Sequence, residues 1–157
     1  MRSYIEQHSG RIIFVLLSLS LLVGLVFNED SAGSGGHISD FYFTWTYVEL
    51  LTKHFFVFGG DFADLTPLGY MILSWFNYFV NDKYIVRVIL CIISLILPIL
   101  FYHALKSHYE ELDSNKLLLF ASLIFLFPAF RSGAIWANAS NIANIFFLIF
   151  LIFFNNW

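Results

Sequence analysis

The chain has 157 residues, of which 59% are hydrophobic and 12% charged, about half the charged share of an ordinary soluble domain. Twenty phenylalanines and a mean hydropathy of +0.77 exclude a soluble single-core domain and point to an integral membrane protein. A net charge of −3 leaves no basic surface for nucleic acid, and the single Cys91 excludes an internal disulfide.

In chain order, a polar start carrying Arg2 and Arg11 leads into sixteen apolar or small residues at 12–27. With flanking residues they reach the roughly 20 that a span needs. A cleaved signal peptide would put a small-residue site after the apolar run. Val26-Phe27-Asn28 is not one, so the segment reads as an uncleaved first span. Residues 28–39 are rich in Gly and Ser and read as a flexible linker. Residues 41–58 read as an interfacial helix, with Thr46, Glu49 and Lys53 on a narrow polar stripe and Tyr47, Leu50, Leu51, His54 and Phe58 on the apolar face. Gly59-Gly60 ends it, and 61–66 form an acidic turn.

Pro67 suits the first turn of the next helix, where a missing N–H costs nothing. The apolar run 68–80 is too short to span and reads as re-entrant or interfacial. After a turn at 81–83, residues 84–105 form a second span, with Arg87 near its start and a kink expected at Pro98. A charged loop at 106–116 precedes a short third run, 117–130. Arg131-Ser132-Gly133 reads as a tight break before a fourth run, 135–154.

The expected fold is therefore one all-α integral membrane domain with about four transmembrane helices. Interfacial or re-entrant helices lie in a first extracytoplasmic loop, 28–83. Lys and Arg are denser in the N-terminal tail and the 106–116 loop than in the longer first loop, which places both termini in the cytoplasm.

Several residues have two readings each. Asp40 opens the interfacial helix, where an acid serves as N-cap. It also serves there as general base for an acceptor hydroxyl, or as ligand to a divalent cation. Asp61 and Asp64 flank a turn, a common place for Asp. If Pro67 folds the second helix back beside the first, Asp64 joins Asp40 in a hard-metal site with Tyr70 nearby. His37 and His54 read as loop or interfacial residues. Arg131 either snorkels or clamps a phosphate with its planar fork. Asn138, Ser140, Asn141 and Asn144 either glue helices together or line a cavity.

The order of these features resembles the N-terminal part of GT-C membrane glycosyltransferases: a cytoplasmic start, one span, an outside acid, then a Pro-Leu-x-Tyr turn before more spans. The nearest groups are the protein-mannosyltransferase and aminoarabinose-transferase families and the RgtA/B/C/D-like domain. Asp40 stands at the family's first acid and Thr66-Pro67-Leu68-Gly69-Tyr70 at its proline motif. Asp64 stands at an acidic or His position just before that motif. Arg87 matches the early Arg of the next helix, and 127–138 a later Pro-containing helix end. The chain departs from the pattern at Phe41, where a second acid is usual, at Thr66, where a first proline stands, and at Trp136-Ala137-Asn138, where an acid or Arg-Pro pair is common.

The resemblance implies an inverting transferase of the bacterial inner (plasma) membrane that takes sugar from a polyprenyl-phosphate donor. The acceptor would be a glycan, lipid or protein. Asp40 would activate the acceptor, with a divalent metal shared with Asp64. Tyr70, Arg131 and Asn138 would contact substrate, Arg131 at the phosphate. The alternative is a small polytopic scaffold or accessory subunit without chemistry.

Overall fold

The structure, a computed structural model, describes residues 2–30, 36–53, 67–155 and 157, and among these it is all-helical. The elements are α1 (Arg2–Val26), α2 (Gly36–Lys53), α3 (Pro67–Val80), α4 (Lys83–Ser94), α5 (Ile96–His108), α6 (Ser114–Ser122), α7 (Pro128–Ile135) and α8 (Ala139–Asn155). A 3-10 turn, Leu123–Leu126, follows α6.

The hydrogen bonds at the helix ends fix the directions. The Gly10 N–H on α1 donates to Asn115 Oδ1 at the start of α6 (2.8 Å), and Asn115 Nδ2 donates to Ser9 Oγ. Beyond the other end of α6, Arg131 reaches Ser20 and Glu29, so α1 and α6 run side by side in one direction. α4 and α5 return the other way. α8 follows them, its last residue Asn155 donating to Ser107 near the end of α5 (3.4 Å). One end of the bundle thus holds the two chain termini and the 109–113 loop. The other, here the head, gathers the end of α1, all of α2 and α3, the start of α4, α7 and the start of α8.

Two stretches, His8–Val26 and Lys83–His108, are long and apolar enough to cross a membrane. Ser114–Leu126 and Pro128–Ile135 form a third if that pair, bent by 69°, is a single span. The outer faces of α1, α4 and the shorter apolar helix α8 are apolar and exposed: Val15, Leu16, Leu19 and Val23 on α1, Ile85, Val88 and Ile92 on α4, and Phe146, Phe147, Phe150 and Phe153 on α8. A folded chain exposes so many large apolar side chains on adjoining helices when its surroundings are hydrocarbon.

The sequence explains most boundaries. Asp82 caps α4, its carboxylate accepting from the N–H groups of Tyr84 and Ile85. Pro98 has no N–H for the Ser94 carbonyl four residues back, and the helix breaks at Leu95 between α4 and α5. Pro128 sets the start of α7. The expected break at Arg131-Ser132-Gly133 lies instead inside α7. The chain turns at Phe127 and again at Trp136–Asn138, because Pro128 restarts a helix that the next three residues continue. The fourth apolar run correspondingly begins its helix at Ala139 rather than at 135.

Polar contacts join the helices of the head beside its apolar core. Between α2 and α3, Asn77 Nδ2 donates to Thr52 Oγ1 (3.2 Å), and the Ser74 hydroxyl lies 3.3 Å from the Val48 carbonyl oxygen. Phe41, Trp45, Val48 and Leu51 form the buried face of α2, whereas Leu50 is exposed. The face expected from Tyr47, Leu50 and Leu51 is therefore rotated, because α3 covers the Thr52 side. Residues 54–58 of the expected helix lie outside the described residues. Lys83 Nζ sits 4.9 Å from the Tyr42 ring centroid, tying α2 to the start of α4.

α3 meets α8 at Gly69, where a Cβ would collide with the Cβ of Ala139. Gly69→Ala is expected to destabilise by about 1–2 kcal/mol through overpacking. Ala139→Gly, which removes the colliding atom, should recover much of that in the double variant. Thermal unfolding of all three variants in detergent checks this, and strictly additive losses would contradict the contact.

Candidate functional site

Two arginines organise the head. α1 ends in a Schellman-type turn: the Glu29 N–H reaches back to the Gly24 carbonyl (2.8 Å) and Asn28 takes φ 55°. This turn aims Asn28, Glu29 and Asp30 at α4 and α7, so the expected flexible linker is anchored over 28–30. Residues 31–35 lie outside the described residues. Arg131 Nε and Nη2 form a bidentate pair with the Glu29 carboxylate at 2.7 and 2.5 Å. Its remaining donors go to Ser20 Oγ, the Ser20 carbonyl and the Phe125 carbonyl. Gly24 leaves room for this pair, since a Cβ there would meet the Glu29 carboxylate.

A guanidinium has five N–H donors, and all five on Arg131 are engaged within the chain. The fork that the phosphate-clamp reading of Arg131 needs is occupied in this structure by Glu29, 102 residues away in sequence.

Arg87 is 5% exposed. Its Nε donates to the Ile135 carbonyl (2.6 Å), Nη1 to Asn28 Oδ1 (2.8 Å) and Nη2 to the Leu25 carbonyl (3.3 Å). Its guanidinium carbon stands 4.0 Å from the centroid of the Trp136 ring. Arg87 therefore lies inside the head. Trp136 Nε1 donates to the Glu29 carbonyl (2.9 Å). The Ser132 hydroxyl donates to Asp30 Oδ1 (3.0 Å), while Asp30 Oδ2 is buried without a partner.

Beside this cluster lies a cavity of about 460 Å³ between α2, α3 and the α7–α8 turn. Asp40 from α2, Tyr70 from α3 and Asn138 from the turn all line it, with Thr44, Ser140 and Asn144 adding polar groups. Phe41, Phe43 and Trp136 supply aromatic wall. His37 also lines it, and its Nδ1 is buried with no hydrogen-bond partner.

α2 begins at Gly36, so Asp40 sits in the second turn rather than opening the helix. Its exposed carboxylate is not the N-cap. Asn138 has a structural task as well as a place in the wall. Its Oδ1 accepts from the Ser140 N–H (2.9 Å) at the start of α8. Asn141 is buried glue, donating to the Phe130 carbonyl (3.3 Å). Asp64, like His54 and Asp61, lies outside the described residues. Among the described residues Asp40 is the one carboxylate lining the cavity, and no three His, Cys, Asp or Glu side chains come together.

Sequence reasoning missed Glu29, Asp30, Ser20 and Trp136. The available signal was Asn28: an Asn directly after an apolar helical run is a left-handed C-terminal residue, and it aims whatever follows. Comparison with protein-family models, with curated proteins and with solved structures gives no match.

Proposed function

We propose that the chain is a GT-C type membrane glycosyltransferase, or the N-terminal module of one, which moves a sugar from a polyprenyl-phosphate donor to an acceptor on the extracytoplasmic side. The observation that carries the reading is the convergence of Asp40, Tyr70 and Asn138, from three separate elements, on one cavity beside an unpartnered His37 nitrogen.

Hydroxyl, amide and carboxylate groups set against an aromatic wall suit a polyhydroxylated ring. Ala143 and Asn144 line the cavity, and Phe146, Phe147 and Phe150 stand exposed further along α8. A lipid-linked substrate would seat its head in the cavity and lay its tail along that face. Asp40 takes the proton of the acceptor hydroxyl as its oxygen bonds to the anomeric carbon. The bond from that carbon to the phosphate oxygen breaks on the opposite face, releasing polyprenyl phosphate. Transfer from a labelled polyprenyl-phosphate sugar, with and without the Asp40 carboxylate, tests the reading. The competing reading, a polytopic scaffold, draws on the internal saturation of Arg131, which leaves the phosphate without its expected clamp.

The reading includes four spans. α8 has 17 residues, at the lower edge of the roughly 17–25 that cross a bilayer, and the bent 114–135 pair supplies the remaining pass. The head then faces outside, and both termini face the cytoplasm of a bacterial inner membrane. In a Cys91→Ser background, cysteines at Ser39 and Ser114 are expected to react with a membrane-impermeant maleimide from opposite sides. Labelling of both from one side would defeat this topology.

A further inference from the structure

We propose that Arg87 is a positioning residue for the cavity, acting through Trp136. Arg87 does not line the cavity, whereas Trp136 does. The two meet at 4.0 Å, guanidinium against indole.

Arg87's acceptors are neutral: two carbonyl oxygens and one side-chain amide oxygen, from the end of α1 and the end of α7. The carboxylate nearby goes to Arg131 instead. The Trp136 face is thus a main electrostatic partner of a buried cation, and such a contact strengthens as water is excluded. The indole is held from three directions. Arg87 lies against its face, its Nε1–H is bonded to the Glu29 carbonyl, and Phe41 of α2 packs at 5.8 Å between centroids.

The backbone just after the indole is strained. Ala137 takes φ 55°, a left-handed conformation disfavoured for a residue with a Cβ, and the Asn138 N–H bonds back to the Gly133 carbonyl. Both ends of this arrangement therefore resist rotation of Trp136, and Asn138 follows it directly into the cavity wall. The cavity's shape depends in this way on a buried cation outside it, on the α4 span.

The inference concerns positioning of the site described above, and its binding arm rests on the sugar reading. The chain is labelled with 5-fluorotryptophan and placed in lipid nanodiscs. The Trp136 fluorine resonance is assigned by its disappearance in Trp136→Phe. Arg87→Lys, which keeps the charge and loses the planar stack, is expected to move the Trp136 resonance while those of Trp75 and Trp157 stay in place. Arg87→Met should move it further. General disruption would instead displace all the resonances together, and that result, or an unmoved Trp136 resonance in Arg87→Lys, overturns the proposal. In the second arm, a short-chain polyprenyl-phosphate hexose is titrated against the same samples. Arg87→Lys should bind it about tenfold more weakly than the wild type. Equal affinity despite a moved resonance also overturns the positioning role. Wild-type protein that ignores the probe overturns the sugar reading alone, and the fluorine spectra still decide whether Arg87 holds Trp136.

Discussion

Asp40→Asn is expected to lower sugar transfer by about 10²–10⁴-fold, the contribution that a positioned general base makes, while membrane insertion and unfolding temperature stay near wild type. The side chain is exposed in the second turn of α2 and is not the cap of that helix. The substitution keeps size and polarity and deletes only the basic lone pair, and exposed changes of that kind generally stay within about 0.5 kcal/mol. Loss of activity without loss of stability therefore separates chemistry from structure. The measurement is initial-rate transfer from a labelled polyprenyl-phosphate sugar by membranes carrying the full protein. Activity within threefold of wild type would mean that Asp40 is not the base, and the scaffold reading would then gain. Asp40→Glu should fall between, since it retains the base but moves it by one methylene.

The features legible in the sequence were those encoded by local composition and period. The apolar runs located α3, the α4–α5 stretch and the end of α1 to within a few residues, because a polar break in hydrocarbon is unfavourable and so is conspicuous, whereas α1 begins at Arg2, ten residues before its apolar run. Pro67 marked a helix start because proline's missing donor is harmless there, whereas Pro128, read as lying near the end of a run, begins α7. The placement of Arg131 was not legible. Arg-Ser-Gly looks like a break, yet the preceding proline and the following left-handed Ala137 make it the body of a helix. Nor does periodicity reveal that Glu29 faces Arg131 across 102 residues. That depends on the hand of one turn at Asn28 and on the parallel run of α1 and α6. The candidate cavity falls between these cases. Asp40 and Tyr70 were singled out from neighbouring segments, whereas the Trp136 wall and the unpartnered His37 nitrogen exist only in three dimensions.

The ion pair that the sequence did not reveal should dominate stability. Arg131 and Glu29 side chains are 13% and 30% exposed, and all five Arg131 donors find acceptors. Removing one member of a buried pair leaves the other charge uncompensated, with losses of about 3–5 kcal/mol. The partial exposure of Glu29 lowers the expectation for Arg131→Met to about 2–3 kcal/mol. Glu29→Gln should lose somewhat less, because an amide oxygen still accepts one N–H. Arg131→Met with Glu29→Leu should recover part of the loss, since no charge is then stranded and the surroundings, which include Ile135, are apolar. Equilibrium unfolding by denaturing detergent in mixed micelles measures all three variants. A loss below about 0.5 kcal/mol in Arg131→Met would place the pair among those exposed enough to contribute little. That outcome would also free the guanidinium to meet a phosphate, the one role its present bonds deny it. The sharper result is the double variant. If it is less stable than Arg131→Met alone, the Glu29 side chain has a second task in the head beyond this pair.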